Sequence, residues 1–253
     1  MAVLYVASEA SELKPFAQTI AGLRKLSWPL DYAWEGVRNG QRQLLVANGM
    51  GAALASRAVE VAMRAVSSAE LSASKLEAVV SVGYCGALDP GLREGDVIVA
   101  DEILDIDTGN RFPVAALESD RNSTSGRVAT QNRIAINSLE KQALRQFEAI
   151  AIDMEASGVA EKAKRAGLPF LCIKVVTDRA DESFELNLNE MRDANGRISR
   201  GKTAVYAATH PQSVPELLRL RRRANEAANQ LGEFLASCRI KSSDGPGEDR
   251  LDS

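Results

Sequence analysis

The sequence is poor in the residues on which many enzymes depend. It holds one histidine, His210, in 253 residues. Zinc sites built from several histidines are thereby excluded, and a Ser-His-Asp arrangement would have to use His210 itself, which sits in a His-Pro loop. The three cysteines, Cys85, Cys172 and Cys238, lie far apart, without metal-ligand spacing and without the density of a disulfide framework. They suit a reducing cytoplasm, with Cys85 and Cys172 as small buried residues in or beside strands. Aromatic residues make up only 5% of the chain, so the core must be built from Ala, Val, Leu and Ile. Neither sign of charge dominates: a net charge of -3 gives no electrostatic case for nucleic acid. The run Arg219, Arg221, Arg222, Arg223 reads as a solvated helix face, with a basic patch as the alternative. No apolar run is long enough to span a membrane, and the apolar start Met1 to Ala7 lacks the basic flank of a signal peptide. There is no Gly-Lys-Ser/Thr phosphate loop. Gly49-Met50-Gly51 fails the dinucleotide fingerprint because Leu54 stands where Gly or Ala is needed. No cofactor and no metal are expected.

What is present is an ordinary globular composition, 45% hydrophobic and 26% charged, with room for one large α/β core. Residues 1–240 read as a single domain and the polar stretch 241–253 as a disordered tail. Ala2 to Ala7 is a strand. Leu13, Phe16, Ile20 and Leu23 fall at helical spacing and predict a helix from Glu12 to Leu26. Tyr32 to Val37 and Gln43 to Ala47 predict a hairpin turning at Asn39-Gly40. An alanine-rich helix follows Gly51 and runs to about Ala65. Leu76 to Val82 reads as a buried strand, Gly83-Tyr84-Cys85-Gly86 as a tight turn, and Val97 to Ala100 as a strand after the Gly95-Asp96 turn. Asn122 to Gly126 reads as a mobile loop, and helices carry the chain onward to about Ala236.

Residues 149–178 are the most telling. An apolar run, Ala149 to Ile152, stops at Asp153-Met154-Glu155. A helix follows, closed by Gly167 and barred from continuing by Pro169. A second apolar run, Phe170 to Val176, stops at Thr177-Asp178. Strand, helix and strand suggest a βαβ unit with parallel strands, whose C-terminal ends share one edge of the sheet. Glu12, the Gly83–Gly86 segment, Glu155 and Asp178 would then meet around one cavity. Carboxyl groups either side of a bond, with no histidine and no metal, suit glycosidic cleavage: one protonates the leaving group and another activates water. Each residue also has a plainer reading. Asp178 fits a turn cap, Glu155 and Glu12 fit helix first turns, and Met154 fits a core position.

Ser81-Val82-Gly83-Tyr84-Cys85-Gly86-Ala87-Leu88, Gly95-Asp96-Val97, Asp153-Met154-Glu155 and Val176-Thr177-Asp178 together resemble the nucleoside phosphorylase/nucleosidase superfamily over about residues 1–236. Glu12-Leu13-Lys14-Pro15-Phe16 is similar to the start of its nucleosidase branch. The resemblance implies a three-layer α/β fold with a central mixed sheet flanked by helices. It implies a homodimer or larger homo-oligomer, and a small-molecule nucleoside as substrate. Phosphate would be a co-substrate only if cleavage is phosphorolytic. Within the superfamily the pattern is nearest to the hopanoid-associated group, which removes adenine from an adenosylated hopane precursor, and to methylthioadenosine/S-adenosylhomocysteine nucleosidases. Asn195-Gly196-Arg197 and Pro211 to Leu217 resemble the ending of the hopanoid-associated group.

The implied roles are Asp178 as proton donor to purine N7, Glu155 on the ribose hydroxyls, Met154 against the ribose and Glu12 orienting water. Thr177 stands beside the acid, and Tyr84, Cys85 and Gly86 line the nucleophile side. Three departures stand out. Ser81 and Tyr84 replace the phosphate-binding Arg and Ser of hexameric phosphorylases, which favours hydrolysis. Asn132-Arg133 occupies the segment where a base-stacking aromatic is expected, so base contacts there would come from backbone. Lys174 replaces an Arg, and the two cations are not equivalent toward a carboxylate. A catalytically silent nucleoside-binding module and a generic α/β enzyme for another small polar substrate are the competing readings.

Overall fold

The structure, a computed structural model, describes residues 1–68, 75–187, 189–190 and 200–240, and only the backbone of 200–204. The 241–253 tail and Asn195-Gly196-Arg197 lie outside the described residues. The order of elements is β1 (Ala2–Ala7), α1 (Ala10–Ala17), β2 (Ala21–Lys25), β3 (Tyr32–Arg38), β4 (Gln41–Ala47), α2 (Ala52–Ser67) and β5 (Leu76–Ala87). Then come β6 (Val97–Asp105), β7 (Arg111–Pro113), β8 (Glu118–Ser119), β9 (Thr124–Thr130), α3 (Ser138–Leu144), β10 (Ala151–Asp153) and α4 (Ala156–Arg165). The chain continues with β11 (Phe170–Asp178), α5 (Arg200–Thr209), α6 (Val214–Ser237) and β12 (Cys238–Arg239).

The main sheet runs β10-β9-β6-β11-β5-β1-β4-β3-β2, with β7 beside β6, and β10 also pairs with β5. That last pairing closes β5, β11, β6, β9 and β10 into a ring, and β1, β4, β3 and β2 extend from it as an open wing. Parallel and antiparallel pairs are mixed. β5 and β11, at the centre of the sheet, are buried on both faces, hence their long apolar runs. One face packs under α1 and α6 through Val3, Tyr5, Leu13, Phe16, Val80, Ile173, Leu231 and Phe234. The other packs under α2 and α4 through Leu4, Val6, Ala58, Val59, Val79, Cys172, Val159 and Ala163. This is the three-layer arrangement expected of the sequence. Among the described residues, no helix is long and apolar enough to cross a membrane.

Four local expectations differ from the structure. The first helix stops at Ala17, and Leu23 lies in edge strand β2. Pro15 lies inside that helix, and Thr19 closes it by donating from its hydroxyl to the Phe16 carbonyl at 2.8 Å. Ile20 is still buried, but the chain reaches the core by turning back along β3. Gly83 to Gly86 is not a turn: β5 runs straight through it, paired with β11 at every one of those residues. Thr124 to Gly126 is strand rather than loop, because β6 offers them a parallel partner.

The fourth difference concerns the βαβ unit. β10 is parallel to β9 and β9 to β6, whereas β6 is antiparallel to β11. β10 and β11 therefore run in opposite directions, and α4 connects strands that do not pair. The parallel expectation fails because β10 and β11 flank β5, the first antiparallel to it and the second parallel, so α4 joins two strands of opposite direction.

Candidate active site

The reversed direction of β10 is what assembles the site. β11 occupies one edge of β5 from Val79 to Gly86. On the other edge, β1 pairs with β5 as far as Ser81, and β10 pairs with it only at Gly86 and Ala87. Val82 to Cys85 thus face a gap in the sheet. β1 runs parallel to β5 and β10 antiparallel, so their C-terminal ends point at each other across that gap. One end supplies Ser8, Glu9 and Glu12, and the other Asp153, Met154 and Glu155. Asp178 reaches the same place from the end of β11. A cavity of about 490 Å³ fills the opening. Glu12, Tyr84, Cys85, Gly86, Arg133, Met154, Glu155, Thr177 and Asp178 all line it. Asn132 is exposed and is not among the lining residues.

The two glycines of β5 explain themselves here. Gly83 has φ +137, and a Cβ there would sit 3.1 Å from both carboxylate oxygens of Glu12. A Cβ at Gly86 would sit 2.8 Å from Oδ2 of Asp178. Each glycine leaves room for one carboxylate to lie against the strand.

Glu12 is buried, and its Oε2 accepts from the Ser8 and Glu9 backbone N–H groups at 2.8 and 3.1 Å. Its Oε1 accepts from the Ser8 hydroxyl at 3.0 Å. Burial raises its pKa despite those donors and the nearby Lys174. Glu155 accepts from the Gly51 N–H at 2.8 Å. Burial pushes its pKa up to about 7, against the pull of Lys174 and with the help of Asp153 and Glu12. Asp153 holds the floor of this end. Its Oδ1 accepts from Thr130 at 2.6 Å, its Oδ2 accepts from the Ala156 N–H at 2.9 Å, and Lys174 stands 2.8 Å from it with no exposed surface on either side chain. Burial opposes the Lys174 charge, but Asp153, Cys172 and Glu155 outweigh it and hold that pKa above its usual value. The lysine that replaces an arginine thus serves Asp153 from beneath the site, outside the cavity lining.

At the other end, Asp178 accepts from Thr177 Oγ1 at 2.8 Å and from Lys141 Nζ at 2.5 Å. Burial raises the Asp178 pKa and outweighs Lys141 and Thr177, which lower it. Lys141 was not visible as a site residue. It belongs to Ser138–Leu144, where Leu139, Gln142 and Ala143 are exposed, yet its own side chain is 1% exposed. Phe184 is a second residue that sequence reasoning missed. It lines the cavity beside Arg133, Ile134 and Ala135, where no aromatic occurs in the sequence, because its N–H bonds the Ile136 carbonyl at 2.9 Å. The Ile134 backbone is already engaged: its N–H donates to Asn189 Oδ1 at 2.9 Å, and its carbonyl accepts from Asn189 Nδ2 at 3.0 Å.

Helix α6 closes the cavity with Leu217, Leu220, Arg221 and Ala224, and Tyr84 ties to it by donating to the Ala224 carbonyl at 2.8 Å. The arginine run is mostly paired: Arg223 with Glu94 and Glu182, Arg219 with Glu182 and Glu216, and Arg222 with Glu226. Arg219 and Arg222 thus lie on a solvated, charge-balanced face, whereas Arg221 and Arg223 line the cavity. His210 is exposed, stacked on Tyr206 away from the cavity. A site with three carboxyl groups around an apolar-walled cavity can protonate a leaving group, hold hydroxyls and polarise water.

Comparison with known proteins agrees with this architecture. The family model described as the phosphorylase superfamily matches residues 2–131 and 113–205. A 5′-methylthioadenosine/S-adenosylhomocysteine nucleosidase from Neisseria meningitidis, in complex with methylthio-immucillin-A, superposes with a TM-score of 0.69 at 19% identity over 93% of this chain and 97% of that one. An S-adenosylhomocysteine nucleosidase from Streptococcus pyogenes, in complex with 5-methylthiotubericidin, gives 0.70 at 16% identity over 94% and 95%. A futalosine hydrolase mutant from Helicobacter pylori gives 0.67 at 15% identity over 94% and 97%.

Proposed function

From the premise that the chain belongs to the phosphorylase superfamily, we propose that it is an enzyme that cleaves the N-glycosidic bond of a purine nucleoside by hydrolysis. The observation that carries this reading is the meeting of Glu12, Glu155 and Asp178, from three separate strand ends, around one cavity. Asp178 is the general acid that gives a proton to N7 of the base. Glu155 binds the ribose hydroxyls, and its negative charge favours the cationic sugar of the transition state. Met154 packs against the ribose. Glu12, fixed by three hydrogen bonds beside Gly83, orients the attacking water from the opposite face.

Adenine is the base we favour. Phe184 offers a ring face for stacking. The Ile134 N–H and carbonyl suit adenine N1 and the N6 amino group, and a bound base would take the place of the Asn189 amide. Leu217, Leu220 and Met50 form an apolar wall that suits an apolar 5′ substituent. An adenosylated hopane precursor is the finest reading of that wall, and the printed substrates of the structural neighbours are the alternatives. Hydrolysis is preferred to phosphorolysis because Ser8, Glu9 and Glu12 line the nucleophile side, and two carboxylates disfavour an entering phosphate. The three free thiols suit a cytoplasmic setting. A homodimer or larger homo-oligomer completes the reading, and sedimentation at working concentration tests it.

The activity is tested by chromatography of free base released from a panel of 5′-substituted adenosines, with and without phosphate. Free adenine and free sugar, at a rate indifferent to phosphate, are expected. Binding of the panel without base release would favour a silent nucleoside-binding module, and neither binding nor release would overturn the reading.

A further inference from the structure

Glu12 uses its two carboxylate oxygens unequally. Oε2 accepts from the Ser8 and Glu9 backbone N–H groups, at 2.8 and 3.1 Å, where α1 begins. Oε1 accepts from the Ser8 hydroxyl at 3.0 Å, its one hydrogen-bond donor among the described residues. Oε1 is therefore the oxygen with room for a water. Ser8 is 8% exposed and pinned on both sides: its N–H is given to Glu12, and its carbonyl accepts from the Gly49 N–H at 2.8 Å. A water-activating Glu12 is ionised, and an ionised carboxylate only accepts, so the Ser8 O–H must point at Glu12. Two lone pairs remain on Ser8 Oγ, and Ser8 lines the cavity. The Tyr84 and Thr177 hydroxyls, also on its wall, turn to the Ala224 carbonyl and to Asp178, each at 2.8 Å.

A water held by one acceptor can swing about that single hydrogen bond, whereas two acceptors fix both of its O–H bonds and aim a lone pair. We propose that Ser8 is the second water-orienting residue of the site: Ser8 Oγ accepts from one O–H of the attacking water and Glu12 Oε1 from the other, which leaves a lone pair facing the sugar. The proposal rests on the hydrolytic reading above. As the bond between base and sugar breaks, its electron pair moves into the base, which takes a proton from Asp178. The water oxygen bonds to the former glycosidic carbon, and the water gives up one proton to Glu12 Oε1. Solvent later takes the proton from Glu12 and restores that of Asp178. The same arrangement deepens the preference for water over phosphate. A phosphate oxyanion needs donors, and the one O–H of Ser8 is committed to Glu12.

The test compares the wild type, Ser8→Ala and Ser8→Thr on one 5′-substituted adenosine, with folding verified by circular dichroism. Ser8→Ala should lower kcat about 10- to 100-fold and leave KM within about twofold, because only the water loses a contact. The acid limb of its kcat profile should move to higher pH by about one unit. The hydroxyl stabilises the ionised form of Glu12, so its loss makes Glu12 harder to ionise. Ser8→Thr keeps a hydroxyl and should restore both kcat and the limb. A third readout is the product ratio in water containing methanol. Methanol has one O–H and cannot satisfy both acceptors, and its methyl group would meet Ser8 Oγ. The wild type should form methyl glycoside well below methanol's mole share, and Ser8→Ala should raise that fraction by about threefold or more. A merely structural Ser8, holding only the start of α1, predicts a kcat loss of equal size at every pH with an unchanged product ratio, or no loss at all. Either result would overturn the proposal. Should Ser8→Ala fail to fold, the wild type decides: methyl glycoside at or above methanol's mole share overturns it. Base release by the wild type together with any of these contrary results defeats the role of Ser8 alone. No base release at any pH defeats the proposed function as well.

Discussion

The two ends of the cavity are balanced differently. At the end that the proposed function gives to the sugar, Glu12, Asp153 and Glu155 are all buried, and Lys174 stands among them, 2.8 Å from Asp153. At the base end, Asp178 has Lys141 to itself. The first end therefore gathers three acids around one cation, an arrangement that suits the cationic sugar and polarised water of the proposed reaction. The end at Asp178 pairs one acid with one buried cation. β5 serves both ends in the same way, with a glycine opposite each carboxylate. In the proposed function, buried acids in one cavity take distinct tasks from the cations beside them rather than from their own chemistry.

The contrast is broken most sharply at the base end. Asp178→Asn removes the proposed proton donor while keeping the shape, and base release should fall by about 10²- to 10⁴-fold with the fold intact. Unchanged turnover would remove Asp178 from the chemistry. At the sugar end the corresponding lesion falls on the fold. Lys174→Met strands Asp153 without its cation in a site with no exposed surface, and urea unfolding should show a loss of about 3–5 kcal/mol. A loss well under 1 kcal/mol would mean that the three carboxylates do not depend on Lys174.

The three gathered acids also predict a pH dependence. The folded pKa of Glu155 lies at about 7, against an ordinary 4.5, so the folded state holds this proton more firmly than the unfolded chain does. The associated stability is fully present below pH 4.5 and is lost as pH rises through about 7. Glu155→Gln should flatten that decline in urea midpoints between those limits, and an unchanged slope would place the titration elsewhere. The smallest effect belongs to the rim of the base end. Asn189→Ala frees the Ile134 backbone from two hydrogen bonds that a base must replace, and KM should drop by roughly 3- to 10-fold with little change in kcat. A rise in KM would show that Asn189 helps the base instead of competing with it.

Much of this was legible in the sequence, and the failures share a cause. Asn39-Gly40 announced its hairpin because both residues adopt positive φ, 51 and 75, which few residue types tolerate. Gly167 closed α4 for the same reason, with φ 65. The acids at strand ends pointed to a shared site, and Glu12, Glu155 and Asp178 do line one cavity. Strand direction was not legible, since it depends on which distant strand β10 finds, and β10 has only three residues of its own. Gly83 and Gly86 read as a turn because glycine's local signal does not reveal a carboxylate from another segment pressed against it. Lys141 and Phe184 reach the site by tertiary packing alone.

The account is tested most directly by carrying out the cleavage in ¹⁸O-labelled water containing phosphate and weighing the sugar product. It predicts free base and a sugar carrying one ¹⁸O at the former glycosidic carbon. A sugar 1-phosphate without the label, or no cleavage of any purine nucleoside, would contradict it.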